Sequence, residues 1–443
     1  MNYEPRIYSH HWATQAILTG MTEQKTKITS IPVDVPAVII GGGAAGFFAA
    51  LRLKALCPKH QVILLEAGRI PLAKVKISGG GRCNVTHACF SPPDLEPYYP
   101  RGGPQLKKML YRFGPTQTVA WFESRGVKLK TESDGRMFPV TDDSQTIIDC
   151  LMKEVTRLGV ELKTQCHVKR LVQSDDGRWL IETDKQLFQA QTVLLATGSA
   201  PTSLKWLQTL GQALIPQVPS LFTFNVNHSV IDGLQGVSFP WVKASLDKTL
   251  SAKPIQHEGP LLITHWGLSG PAVIGLSAKG ARVLHEKAYQ GVLKIQLCPP
   301  YKPEDLLAMA DAFKQANPQK TLLNGCPWPL PKRFWEALLT FVSLEPDKRW
   351  VDCPKKPLIQ LSELLYQFPF EIKGKGQFKE EFVTAGGVDL AGVQLDAMES
   401  KHLPGLYFAG EILNIDGLTG GFNFQNAWTT GWVAAEGMAS KLS

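Results

Sequence analysis

The sequence holds eight cysteines, at Cys57, Cys83, Cys89, Cys150, Cys166, Cys298, Cys326 and Cys353, but no C-x-x-C pair. That spacing excludes the common zinc motifs and a disulfide framework. No metal site is expected, and a reducing compartment fits best. Long apolar runs are also missing. The nearest candidate, Pro36 to Leu51, is interrupted by glycines and closed by Arg52, so no membrane span is expected. Residues 1–33 lack the apolar core of a signal peptide and mix Glu4, Arg6, His10 and His11. They read as a poorly ordered extension, and a cytoplasmic location is expected. Charge of one sign does not dominate: 47 Lys and Arg stand against 39 Asp and Glu, for a net charge of +8. This excess admits an anionic partner without requiring one. With 44% hydrophobic and 19% charged residues the chain has a globular composition, not that of a disordered polymer. Its 443 residues exceed what one core supports, so two or three domains are expected.

The first strong pattern is the short β-branched run Pro36 to Ile40, which reads as a buried parallel strand. Gly41-x-Gly43-x-x-Gly46 follows, then a helical pattern over Phe47 to Leu56 and a second strand over Gln61 to Gly68. This is a βαβ unit. Gly41 permits the tight turn, Gly43 lets a pyrophosphate approach the backbone, and Gly46 lets helix and strand pack closely. The helix N-terminus offers free N–H groups and roughly half a positive charge to phosphates. Glu66 stands 20 residues after Gly46, where a carboxylate accepts bonds from ribose hydroxyls and repels a 2′-phosphate.

Further along, Lys74 to Asn84 is a glycine-rich loop, and residues 103–125 and 144–158 have helical spacing. Strands are expected over 159–173, 178–183 and 192–199. Beyond Pro201 the texture changes, with prolines at 216, 219, 240, 254 and 260 punctuating short strands. This reads as an inserted β-rich domain. Helices are expected at Leu306 to Ala316 and Phe334 to Val342, within a helical segment near 303–345. α/β character returns near Glu371. A buried strand lies at Gly405 to Glu411 and a last helix at Ala427 to Leu442. The expected parts are an extension at 1–33, a first Rossmann part at 34–205, an insert at 206–370 and a second Rossmann part at 371–443. Thr197-Gly198 and Gly410-Glu411 both end buried strands. Two such ends, one early and one late, suit a long cofactor, FAD, lying across the carboxyl edge of one sheet. Asp416 to Trp428 opens the last helix, whose N-terminus would face the flavin pyrimidine.

Seven stretches carry a family resemblance: VIIGGGAAG, SGGGRCNVTH, Asp134 to Ile147, LLATGS, THWGLSGPAVI, VTAGGV and the run from Gly405 to Gly431. In these the chain resembles the BaiN-like (YhiN-type) family of FAD-dependent oxidoreductases, from about residue 36 to the C-terminus. The resemblance implies an α/β fold: a Rossmann-type FAD-binding domain interrupted by a β-barrel-like insert carrying a helical segment. It implies that Gly41, Gly43, Ala45, Gly46 and Glu66 hold the ADP half. Lys74 and the loop Ser78, Gly79, Gly80, Gly81, Arg82, Cys83 and Asn84 would wrap the pyrophosphate and the flavin edge. Val168 would contact adenine through its backbone. Thr197, Gly198, Gly410, Glu411, Asp416, Gly421, Phe422 and Asn423 would complete the site. Two departures stand out. Leu72-Ala73-Lys74 replaces a Gly-Arg-Lys triplet, leaving an arginine contact missing or supplied by Arg82. His87 replaces an asparagine.

For a proton donor the candidates are Cys83, His87 and His265. Cys83 and Cys89 are spaced C-x5-C, which reads as a redox pair or as buried small side chains. His265 reads equally as a substrate contact or as a structural histidine. Arg101, Lys107, Lys108, Arg112, Lys128, Lys130 and Arg136 alternate with Tyr98, Tyr99, Tyr111, Phe113 and Trp121. That stretch reads as a polyanion contact or as a solvated face. No second GxGxxG exists, so NADPH or NADH would dock transiently on the flavin. The leading expectation is a reductase adding hydride to a C=C bond conjugated with a carbonyl, either uracil in ribosomal RNA or an enone. The alternatives are an oxidase or dehydrogenase of a small amine or metabolite, and a non-catalytic flavin-bound RNA-binding factor.

Overall fold

The computed structural model describes residues 31–251, 253–376 and 383–443. The expected N-terminal extension therefore lies, up to residue 30, outside the described residues.

Strand β1 (Val33–Ile40), helix α1 (Ala44–Leu56) and strand β2 (Val62–Leu65) form the expected βαβ unit. Both strands are apolar because helices and loops cover both faces, as parallel sheets require. β1 runs parallel to β2, with Val38 opposite Ile63, and parallel to Leu187–Leu195, with Val38 opposite Val193. Leu406–Phe408 then lies parallel beside Leu187–Leu195, with Tyr407 opposite Leu194. Two strands separated in sequence by the whole insert are thus neighbours in one sheet. The sheet is completed by Glu161–Lys163 beyond β2 and by Val393–Gln394 and Glu399–Ser400 beyond Leu406–Phe408. Val168–Gln173 and Trp179–Thr183 form an antiparallel excursion on Leu187–Leu195.

The C-terminal helix Phe422–Leu442 crosses α1 at very short range. A Cβ on Gly431 would lie 2.7 Å from the Ala45 carbonyl oxygen, so only glycine permits this approach. Phe48, Phe113, Trp121, Trp428 and Trp432 pack around the crossing with ring centroids 4.4–6.0 Å apart.

The insert is a closed six-stranded antiparallel barrel. Its strands are Phe224–Val226, Ser238–Leu246, Gln256–Thr264, Gly267–Ser269, Gly291–Gln296 and Phe368–Lys375. The last of these straddles Glu371, where the sequence texture changes. Leu214–Ser220 and Val383–Val388 pair antiparallel on the way into and out of the barrel. Helices Pro303–Ala316 and Lys332–Phe341 fall where helical spacing predicts them. A third, Lys355–Tyr366, lies beyond the expected helical segment. Its first turn carries Pro357 just after Pro354, and prolines there are tolerated in a helix yet read as breakers.

A small sheet was not read from sequence. It pairs Thr86–His87 with Arg136–Pro139 and that strand with Leu129–Thr131. It rests on the N-terminal half of the C-terminal helix through Thr86, whose hydroxyl donates to Gln425 at 2.6 Å. All eight cysteines are free thiols. Among the described residues no helix is long and apolar enough to cross a membrane.

Candidate functional site

The turn after β1 shows what each glycine does. Gly41 has φ +114°, and a Cβ there would sit 2.4 Å from the Ala196 carbonyl oxygen. A Cβ on Gly46 would lie 1.9 Å from the Gly41 carbonyl oxygen. Gly43 is the opposite case. It caps α1 in extended backbone, and a Cβ there would meet nothing within 4 Å. Two glycines are therefore required by the fold, and one opens onto empty space at a helix N-terminus, where anions are favoured. Glu66, just past β2, holds the same turn. Its carboxylate accepts the Gly42 N–H at 2.7 Å and the Gly68 N–H at 2.6 Å. Its carbonyl accepts the Cys166 N–H at 2.9 Å, which brings the start of the Val168–Gln173 strand to this end of the sheet.

The second glycine loop leaves a helical turn over Ala73–Ile77. Ser78 is extended, and Gly79, Gly80 and Gly81 have φ of +58°, +69° and +83°. Three consecutive left-handed residues explain the glycine run. Cβ atoms on Gly80 and Gly81 would again meet nothing within 4 Å. The Ser78 hydroxyl donates back to the Val75 carbonyl at 2.9 Å. The Leu72 N–H donates to the Gly42 carbonyl at 2.8 Å, laying this segment against the first turn. Lys74 then reaches Glu411 at 2.6 Å, and the other Glu411 oxygen accepts the Thr384 N–H at 3.1 Å. Gly198 stands beside this pair: a Cβ on it would lie 3.5 Å from the Glu411 carboxylate. Thr197 donates its hydroxyl to Ser203 at 2.7 Å. Arg82 is engaged elsewhere. It pairs with Glu132 at 2.6 Å and lies 4.0 Å over the Phe138 ring.

The C-terminal segment closes the same edge. A Cβ on Gly410 would lie 2.9 Å from Ala45 Cβ, and the Gly410 N–H donates to Thr430 at 2.9 Å. With its amide oxygen facing Gly421, Asn84 accepts that N–H at 2.9 Å and donates to the Thr86 carbonyl at 2.9 Å. Trp428 donates its indole N–H to the Val85 carbonyl at 2.9 Å. These bonds sew the loop at 83–87 to the start of the last helix.

Other sequence-predicted side chains are committed internally. Asn423 bonds both ways with the Gly417 backbone at 2.9 Å, closing the loop before the helix. Phe422 is buried, and its carbonyl accepts the Tyr99 hydroxyl at 2.8 Å. Asp416 is fully buried; Arg101 grips its carboxylate with two nitrogens, and Ser220 donates to it at 3.2 Å. Burial pushes the Asp416 carboxyl up, and the Arg101 guanidinium opposes the shift. Arg101 also donates to the Ala278 carbonyl at 2.8 Å, at the end of the helix that packs on the barrel. Sequence reasoning placed Arg101 in a basic run and missed this clamp. An arginine and an aspartate 315 positions apart carry no sequence signal of their pairing.

The three proton-donor candidates separate. Cys83 is wholly buried, and its thiol is pushed up to about 12 by that burial. His87 is half-buried beside the start of the last helix, stacked on Phe422 at 4.6 Å between centroids, with Nδ1 3.0 Å from the Gly420 carbonyl. Burial lowers its pKa, so the ring is neutral at neutral pH and Nδ1 carries the proton given to Gly420. His265 sits exposed in the turn between two barrel strands, its ring 6.2 Å from that of Trp266.

A largely parallel Rossmann sheet with a glycine-lined carboxyl edge, entered from two distant stretches of chain and interrupted by a barrel, is the architecture of a Rossmann-type FAD-binding domain. The family model described as "HI0933-like protein Rossmann domain" matches residues 35–437, and the chain belongs to that family. It is 28% identical over 419 residues to a ribosomal RNA dihydrouridine synthase of Escherichia coli (strain K12), covering 92% of this chain and 98% of that protein. It is also 28% identical over 435 residues to a 3-dehydro-bile acid delta(4,6)-reductase of Clostridium scindens, covering 91% and 98%. Among solved structures, a 3-ketosteroid-delta4-(5alpha)-dehydrogenase from Rhodococcus jostii aligns with a TM-score of 0.49 at 14% identity, over 94% of this chain and 99% of that one.

Proposed function

We propose that this protein is an NAD(P)H-driven FAD reductase that adds hydride to an activated C=C bond, with a uracil in RNA as the acceptor. The observation that carries the reading is that Gly43, Gly80 and Gly81 border open space on turns joined by the Leu72–Gly42 bond, with Glu411 bonded to Lys74 and Gly421 to Asn84 from the far end of the chain; together they would form a cofactor cradle. The residues fit FAD. Gly43 and the α1 N-terminus would take the pyrophosphate, and Glu66 keeps lone pairs for ribose hydroxyls while its other bonds hold the turn. Val168, Gly198, Glu411 and the N-terminus of the last helix would hold the remainder. Bound FAD would supply hydride-transfer chemistry, with a nicotinamide as the source of the two electrons and solvent as the source of the proton that completes reduction of the C=C bond. Of the three donor candidates His87 is the one packed against Gly420 and Phe422, next to Gly421; it would orient the acceptor rather than hold a charge, because burial lowers its pKa.

RNA is favoured over an enone because a dihydrouridine synthase is among the relatives and the chain is net basic. The bile-acid relative keeps the enone as the competing acceptor. The test is anaerobic. NADPH or NADH should bleach the bound flavin, and a uridine-containing ribosomal RNA fragment should restore its colour while forming dihydrouridine. Recolouring by a steroid enone alone would move the substrate to the second class. Peroxide release from an amine without nicotinamide would overturn the reductase.

A further inference from the structure

The face of the Rossmann domain formed by α1, the residues around Trp121 and the C-terminal helix carries a cavity of about 420 Å³. A second, of about 550 Å³, adjoins it, and Ser124 and Arg125 line both. The floor is aromatic. Phe113 stacks on Trp432 at 4.4 Å, and Trp121 lies beside Phe48. The rim is basic. Arg52 and Arg125 lie over the rings of Trp432 and Trp121, each guanidinium carbon 3.9 Å from the ring centroid. Arg112, Lys153 and Arg157 complete it.

These five cations face two carboxylates. Glu436 takes Arg52 and Arg112, and Glu154 takes Arg125 and Arg157. Lys153 forms no ion pair among the described residues. Arg52 Nε is buried without an acceptor. The groove therefore holds three more positive charges than negative ones. The basic stretch read from sequence does not form one face: Arg101 goes inward to Asp416, while Arg112 and Trp121 join arginines from other elements here.

The geometry points to this groove as a docking surface for single-stranded RNA, outside the cofactor cradle. Guanidiniums set over indoles combine donors for phosphate oxygens with π-surface for bases. An acidic protein segment would use the charge but not the rings. Binding energy gained here would hold a large RNA while one nucleotide enters the cradle. The inference rests on the reading of RNA as substrate.

The test compares the full protein with an R112A/K153A/R157A variant. Glu436 keeps Arg52 and Glu154 keeps Arg125, so the fold and flavin content are expected to stay intact, as thermal unfolding and absorbance will show. Binding of fluorescein-labelled oligouridine RNA is followed by anisotropy over a salt series. Affinity should fall at least tenfold, and the log–log salt slope should shrink by about 2, at roughly 0.7 per lost phosphate contact. Unchanged affinity and slope in the variant overturn the groove and leave the RNA substrate standing. No binding by the unmodified protein overturns both. Polyglutamate displacing the RNA with equal dependence on the three residues would assign the groove to acidic protein instead.

Discussion

Replacing Gly43 with alanine separates what the fold needs from what the cofactor needs. The Gly43 backbone lies at φ −91°, ψ −172°, a region open to any residue. The added methyl meets no atom within 4 Å. The apoprotein should therefore lose no more than about 1 kcal/mol, the usual cost of alanine at a helix N-cap. The same methyl occupies the space where phosphate oxygens would reach the α1 N-terminus. Losing two charge-assisted N–H bonds there, each worth about 1.5–3 kcal/mol, weakens FAD by about 3–6 kcal/mol, or roughly 10²–10⁴-fold. Gly46→Ala is the control of opposite character, because its Cβ would lie 1.9 Å from the Gly41 carbonyl oxygen. It should destabilise the apoprotein itself. The assay is thermal unfolding of flavin-free protein alongside FAD titration by fluorescence quenching. A Gly43→Ala protein that binds FAD like the parent would refute the reasoning.

Four further outcomes are expected. Trp428→Phe leaves the Val85 carbonyl without its 2.9 Å donor and should cost about 1–3 kcal/mol in chemical denaturation. Asp416→Ala strands Arg101 between the two domains and should cost about 3–5 kcal/mol, which an additional Arg101→Met substitution partly restores. Glu154 is held below its ordinary carboxylate value of 4.5, first by Arg157 and then by Arg125. Its folded form is thus the weaker proton binder, so its contribution is complete above 4.5 and drains away as pH falls below that value. Glu154→Gln should accordingly flatten the acid limb of a stability–pH curve, and an unchanged limb would count against the ion pairs. Glu411→Ala removes the carboxylate that joins Lys74 to Thr384, and flavin retention during gel filtration should fall while the melting midpoint of the apoprotein moves little.

Local signals carried most of the Rossmann half. The apolar run at β1, the glycine turn and Glu66 act within one supersecondary unit, so their spacing reveals their geometry. At the far end the apolar run closing at Gly410-Glu411 marked a second strand end, and the resemblance to related chains added the site roles of Gly405 to Gly431, which no periodicity ties to β1. The open and the filled glycines look alike in sequence. Only the structure shows that Gly41 and Gly46 are forced by the backbone while Gly43, Gly80 and Gly81 border empty space. Long-range polar contacts were illegible for the same reason. Arg101 finds Asp416, and Arg112 finds Glu436, across hundreds of positions. The helix Lys355–Tyr366 was hidden by the prolines at its start.

The central claim is that residues from both ends of the interrupted fold bind one FAD. Purification without added cofactor, followed by heat release and quantification of the flavin, addresses it directly. The account predicts a yellow protein that yields FAD in near-equal amount to chain. A colourless protein that stays colourless after incubation with excess FAD would contradict it.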